Sequence, residues 1–426
     1  MLILADDLSG AADCGVACVG GGLETIVALR HVHAGPHGAD VLALDADTRR
    51  LASGEAAAQV HAIILKWAQN PELLLFKKID STLRGNVGAE LSAALNAIHA
   101  ARPQSHCAAI MAPAFPANGR TTRDGTQFVH GRPLHDLDIW RIQGMTEHAH
   151  IPAILSGAGL KCALLTLDCI RSQQDILSDR MNSAAATSDV LVCDSETDDD
   201  LRRVASASMH LESKPLWVGS AGLCYQLPHA AGIAGSTATT PPVPPPISGP
   251  VLFVIGSLSR NSQEQVRQLA SFSSTVAINI PPHVLLASEQ DSEWHARARE
   301  FQNAMRAGHD VVLTPGAETR IDLSQRPLLA AALARMASSS SAQIGALVAS
   351  GGETARAVFE SIGITRLRLR GELENGIPLS IADEWGRPLP TITKAGDFGG
   401  PDALLKCLRY LHAEDARLTS PGKVVE

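Results

Sequence analysis

The sequence predicts an α/β protein of two domains, each a mostly parallel sheet flanked by helices, joined by a proline-rich linker. Three observations carry this. Short apolar runs alternate with helical patterns almost throughout the 426 residues. The runs are continuous rather than alternating, which marks strands covered on both faces and hence parallel sheets. Finally, the uncharged stretch AAGIAGSTATTPPVPPPISGP at 230–250 can continue neither a helix nor a central strand.

In chain order, LILA, ETIVAL, DVLALD, LLLFKK, CAAIMA, KCALLTLD, SDVLVCD and PLWVGS read as strands of the first half. Alanine-rich stretches such as EAAAQVHAIILKWAQ and LRRVASASMHL read as the helices between them. The expected boundaries are a first domain over 1–232, a linker over 233–250 and a second domain over 251–426. After the linker the rhythm restarts with VLFVIGS, TVAINI, HDVVLTP and IGALVAS; TRLRLRGEL, GIPLSIA and LPTITKAG then crowd together before a last helix.

Composition excludes several classes. Apolar residues make up 45% of the chain and the mean hydropathy is +0.06, as expected of a globular protein with enough to bury for two cores. A net charge of −8 argues against a nucleic-acid binder. The eight cysteines are scattered without CxxC or zinc spacing, so they read as reduced, buried thiols. The start MLILADD is no signal peptide and no apolar run could cross a bilayer, so a cytoplasmic protein is expected. HVHAGPHG at 31–38 reads as a loop rather than a metal site, and SETDDD at 195–200 as a capped helix start.

In open parallel sheets ligands bind beyond the carboxyl ends of the strands. The first strand ends in ADDLSG, with Asp6 and Asp7 side by side; one acid can cap a helix, and the other then needs a different purpose. LDADTRR places Asp45, Asp47, Thr48, Arg49 and Arg50 at the next such edge. KKIDSTLRGN, with Lys78, Asp80, Ser81, Thr82, Arg84 and Asn86, is a donor set suited to an anionic, hydroxylated ligand. APAFPANGRTTRDGTQFVHG at 112–131 reads as an irregular loop carrying Asn118, Arg120, Thr121, Arg123, Asp124 and His130. Together these predict a first domain that holds a small organic acid bearing hydroxyls.

The second half has another chemistry. VASGGETARAVF at 348–359 is a strand, a Ser-Gly-Gly turn and a helix starting near Glu353, which lets backbone amides approach a phosphate. VIGSLSRNS at 254–262 and TKAGDFGG at 393–400 share that character, so nucleotide phosphates are expected here, although neither a P-loop nor a Rossmann fingerprint is present.

ADDLSGAAD, KKIDSTLRGN, APAFPANGRTTRDG, SGGETARAV and TKAGDFGG together resemble the four-carbon acid sugar kinase family, in order and through both halves. The resemblance implies ATP-dependent phosphorylation of the terminal hydroxyl of D-threonate, D-erythronate or a 3-oxo-tetronate, with D-threonate favoured. It implies substrate contacts at Asp6, Arg49 and the Lys78-Ile79-Asp80-Ser81 run, joined by Arg84 from the donor set. It implies nucleotide contacts at Ser257 or Ser259, at Gly351, Gly352, Glu353 and Thr354, and at Gly396. LDADTRR departs from the family's commoner Ser-Arg ending, which bears on Arg49. Mg²⁺ is expected to ride on the phosphates with no metal site of the protein's own, and closure of the two domains over both ligands would exclude water. Asp6, Asp7 and Asp80 are the candidates for the general base; Asp124 and Asp397 stand in glycine-flanked loops. An NAD(P)-linked dehydrogenase or a sugar-acid binding protein are the alternatives, a homo-oligomer stays open, and neither nucleic acid nor membrane is an expected partner.

Overall fold

The computed structural model describes residues 1–29, 38–142, 144–145, 148–235, 246–271, 275–287, 289–316, 325–383, 385–396 and 398–412. Histidines 31, 33 and 37, Asp397 and the linker core at 236–245 lie outside these. The chain divides into two compact units, Met1–Thr239 and Thr240–Glu426. Among the described residues no helix is long and apolar enough to cross a membrane.

The first unit is built on strands β1 (Leu2–Ala5), β2 (Thr25–Ala28), β3 (Val41–Asp45), β4 (Leu75–Lys78) and β5 (Ala109–Ala112). A side excursion forms β6 (Arg120–Arg123), β7 (Thr126–Val129) and β8 (Arg132–Pro133). The main sheet is completed by β9 (Cys162–Leu165), β10 (Val190–Cys193) and β11 (Leu216–Gly219). Its order is β2-β3-β1-β4-β11-β5-β10-β9, and every pairing is parallel. Uniform burial along β1, β4, β10 and β11 explains the unbroken apolar runs. The exceptions are the two lysines that end β4, Lys77 and Lys78; Lys77 is fully buried and paired to Glu90 at 2.7 Å.

Residues 112–131, expected to be irregular, instead hold most of a three-stranded antiparallel sheet, β6-β7-β8. The cause is the Asp124-Gly125 pair between β6 and β7, whose φ angles of 49° and 69° are those of a two-residue hairpin turn. The SETDDD stretch starts the helix Asp198–Ser208 with a reciprocal cap between Thr197 and Asp200.

The second unit carries β12 (Val251–Ile255), β13 (Thr275–Ile280), β14 (Asp310–Pro315), β15 (Ala346–Ser350), β16 (Arg366–Glu372), β17 (Pro378–Ala382) and β18 (Leu389–Lys394). Their order is β13-β14-β12-β15-β18-β17-β16. The first five are parallel; the crowded C-terminal runs add β17 and β16 as an antiparallel extension. Each unit has its own buried core, one around Leu4, Ile64, Leu91 and Val218, the other around Phe253, Val348, Ile392 and Leu404.

Candidate active site

In the first unit the chain runs from β1 to β2 and β3 on one side, then crosses to β4 on the other. A crevice therefore opens past the ends of β1 and β4. Asp6 and Asp7 leave β1, Lys78 ends β4, and Arg49 arrives on the loop after β3. That loop is fastened to Asp6, whose carbonyl accepts the amides of Thr48 at 3.1 Å and Arg49 at 3.3 Å. The Arg49 guanidinium then grips both carboxylates. Nε and Nη2 donate to Asp6 at 2.8 and 2.9 Å, and Nη1 donates to Asp7 Oδ2 at 2.5 Å.

The two acids divide the work the sequence raised. Asp7 caps the helix Leu8–Gly20 by accepting the Gly10 amide at 2.8 Å. Asp6, 4% exposed in its side chain, is sealed against Arg49, whereas the Asp7 side chain is 22% exposed. Lys78 is buried, and its ammonium donates to the Ile79 carbonyl at 2.9 Å rather than to a carboxylate. A β-carbon on Gly10 would lie 2.8 Å from Asp7 Oδ1 and 2.9 Å from Lys78 Nζ, so glycine leaves that space to the charges.

The loop from Ile79 to Asn86 folds around Asp80. Its carboxylate accepts Arg84 Nε at 2.8 Å, Arg84 Nη2 at 2.7 Å, the Thr82 amide at 3.1 Å and the Thr82 hydroxyl. Arg49 Nη2 stands 3.9 Å from the same carboxylate. Ile79 turns into the core, and Ser81 offers its carbonyl to Gln127 at 2.7 Å. Gly85, at φ 89°, brings the chain back beside Arg49 and Asp6. A neighbouring cavity of about 550 Å³, with Gly85, Asn86, Ser92 and Met111 in its wall, takes in no charged side chain; the charges gather at the strand ends instead.

Burial is the largest influence on Asp6, Asp80 and Lys78, and for the two acids it favours the neutral form. For Asp6 it is outweighed by the charge and hydrogen bonds of Arg49 with help from Lys77 and Lys78, so the carboxyl titrates below its usual range. For Asp80 burial is outweighed by Arg84, Arg49 and Lys78, and the group lies well below that range. Lys78 is raised: burial opposes its charge, but Cys14, Asp6 and Asp7 favour it. The crevice thus holds Asp6 and Asp80 as carboxylates and Lys78 as an ammonium at neutral pH.

The second unit repeats the switch, with β12 leading to β13 and β14 on one side and β15 on the other. Three loops meet past these ends. After β12, Ser259 caps the helix Arg260–Ala270 through the Ser262 amide, and Ser257 Oγ lies 3.3 Å from Ser259 Oγ. After β15, Gly351 at φ 96° opens the helix Gly352–Ile362 with no side-chain cap, and a helix start of this kind is a setting that suits an anion. After β18 comes Gly396, where a β-carbon would lie 2.5 Å from Ser257 Oγ. A β-carbon on Gly256 would collide with the Thr354 hydroxyl. The fully buried Lys394 organises the third loop, donating to the carbonyls of Ala395, Gly396 and Phe398 at 3.1, 2.8 and 3.0 Å.

The structure therefore gathers Asp6, Asp7, Arg49, Lys78, Asp80, Ser81 and Arg84 in one crevice, and Ser257, Ser259, Gly351, Gly352, Glu353, Thr354 and Gly396 around another. Arg123, one of the cations in the stretch 118–130, is taken up outside the crevice, facing Glu196 at 3.5 Å and lying over the Phe128 ring. Sequence reasoning missed Gly10, Gln127, Lys394 and the buried pair Lys77–Glu90. The adjacent lysines of KKID were the visible signal for that pair; Gln127 gave none.

Paired charges at one switch point and a hydroxyl- and glycine-lined turn at another are an arrangement suited to a small-molecule kinase, and the relatives of this chain are kinases. A family model described as a sugar-binding N-terminal domain matches residues 1–227, and one described as a nucleotide-binding C-terminal domain matches residues 252–404. The chain is 40% identical to the D-threonate kinase of Cupriavidus necator over 95% of its own length and 96% of that protein's. It is 29% identical to the D-threonate kinase of Salmonella typhimurium, with 96% and 98% covered. It is 28% identical to the 3-oxo-tetronate kinase of Cupriavidus necator, with 96% of each covered. The crystal structure of a Salmonella typhimurium LT2 protein shares the fold at a TM-score of 0.80 and 21% identity, covering 96% of this chain and 98% of that one. The chain belongs to the four-carbon acid sugar kinase family.

Proposed function

We propose that this protein is a D-threonate kinase, moving the γ-phosphoryl group of ATP to the C4 hydroxyl of D-threonate to give 4-phospho-D-threonate and ADP. The observation that carries the choice of acid is the 40% identity, over nearly the whole of both chains, to a relative named for that activity. Relatives named for 3-oxo-tetronate and D-erythronate stand at 28% and 26%; those acids are the competing substrates.

The residues take roles from their surroundings. Lys78, whose ammonium is spent on a carbonyl rather than on a carboxylate, supplies the point charge for the substrate carboxylate. Asp80, Ser81 and Arg84 read its hydroxyls. Asp6 holds Arg49 in place through a bidentate pair. Asp7 is the general base: it is the most exposed of the three carboxylates, at 22% against 4% for Asp6 and 10% for Asp80. It takes the C4 hydroxyl proton as that oxygen bonds to phosphorus and the bond from phosphorus to the ADP oxygen breaks.

ATP binds the second unit, its phosphates lying against the turn at Gly351, the helix start from Gly352 to Thr354, the hydroxyls of Ser257 and Ser259, and the backbone at Gly396. This donor set of amides and hydroxyls suits phosphate oxygens. Mg²⁺ fits as a passenger of the phosphates, neutralising their charge. An ADP-release assay across D-threonate, D-erythronate and 3-oxo-tetronate is the test. The highest kcat/KM is expected with D-threonate; turnover of 3-oxo-tetronate far above both aldonates would overturn the choice.

A further inference from the structure

The hairpin β6-β7-β8 lies in a motif the function does not absorb, and its Arg123 is engaged by Glu196 and the Phe128 ring. Its buried side speaks to the crevice instead. Gln127, in β7, is fully buried, and its Nε2 donates to the Ser81 carbonyl at 2.7 Å. Its amide orientation is fixed, because the Thr122 hydroxyl donates to Oε1 at 2.8 Å. Thr122, also fully buried, is locked in turn: its amide donates to the Ser195 carbonyl at 2.8 Å, and the Ser195 amide donates back at 3.0 Å. The hairpin tip is tied to the end of β10, where the Asp194 carboxylate accepts the amides of Asp124 at 2.7 Å and Gly125 at 2.9 Å.

The Ser81 carbonyl and the Thr82 amide belong to one peptide plane. The carbonyl points to Gln127, and the amide donates to Asp80 Oδ2 at 3.1 Å. Because a peptide is rigid, holding one end aims the other. Resting on the functional reading above, we infer that Gln127 is a positioning residue for the acid site. It fixes the peptide between Ser81 and Thr82 so that Asp80 faces the sugar acid in one orientation, with the hairpin as its buttress.

The test compares steady-state kinetics of the full-length wild type with Gln127→Leu and Thr122→Val, each substrate titrated at saturating levels of the other. Gln127→Leu should raise KM for D-threonate about tenfold, the scale set by loss of one orienting hydrogen bond at a site sensitive to small misplacement. Thr122→Val, which keeps its shape but frees the Gln127 amide to turn over, should raise it about threefold, and KM for ATP should stay within about twofold in both. If Gln127→Leu does not fold, the isosteric Thr122→Val decides alone. A lower melting temperature with an unchanged acid KM would mean a merely structural role and overturn the inference, as would equal rises for both substrates. A wild type that turns over no four-carbon sugar acid would overturn the functional reading, and this inference with it.

Discussion

Replacing Lys78 by methionine keeps most of the side-chain volume and removes only the charge and its donors. The ammonium is buried, makes its hydrogen bond to the Ile79 carbonyl, and shares the space above Gly10 with Asp7. A hydrogen bond to a charged group is worth about 1.5–3 kcal/mol. At about 1.4 kcal/mol per factor of ten, its loss should raise KM for the acid by about 10- to 150-fold. KM for ATP should change by less than about threefold, because the proposed phosphate cradle belongs to other loops. The assay is coupled ADP release with each substrate varied in turn, on protein whose far-ultraviolet circular dichroism matches the wild type. An acid KM within threefold of wild type would refute the reasoning, as would a matching loss of ATP affinity.

The nucleotide cradle makes its own forecast: Gly351→Val forces a branched residue to φ 96° at the helix start, and ATP affinity by calorimetry should fall by about tenfold or more with D-threonate affinity retained. Wild-type ATP affinity in the folded variant would reduce this glycine to a turn. Asp7→Asn should lower kcat by about 10²–10⁴ with a much smaller change in acid KM, since the interaction matters chiefly in the transition state. A loss below tenfold would move the base to Asp6 or Asp80. Acid denaturation offers a fourth check through Asp80, which in spite of burial is held well below its ordinary value of 3.8 by Arg84, Arg49 and Lys78. A carboxyl depressed on folding contributes stability that is fully present above 3.8 and lost as pH falls through the folded value. Urea midpoints of the wild type should therefore drop more steeply below that pH than those of Asp80→Asn; parallel curves would contradict the ion pairing.

Much of the fold was legible because parallel strands buried on both faces leave unbroken apolar runs, and LILA, SDVLVCD and VLFVIGS each mark a strand of the structure. The candidate site was legible for a related reason: at switch points the chemistry follows directly after such runs, as in ADD and KKID. The hairpin at 120–133 was not, since its strands carry Arg, Thr and Gln in place of an apolar pattern, although Asp124-Gly125 was a usable turn signal. Nor could sequence separate the two acids of ADD. That distinction depends on Arg49, 42 and 43 residues further on, turning its guanidinium onto both.

The central claim, that ATP and a four-carbon sugar acid meet here as phosphoryl donor and acceptor, is tested most directly by identifying the product. Incubation with ATP, Mg²⁺ and D-threonate, followed by ³¹P and ¹³C nuclear magnetic resonance, should show one phosphate ester on O4 for each ADP released. ADP release without an ester, or phosphate carried on the carboxylate, would contradict it.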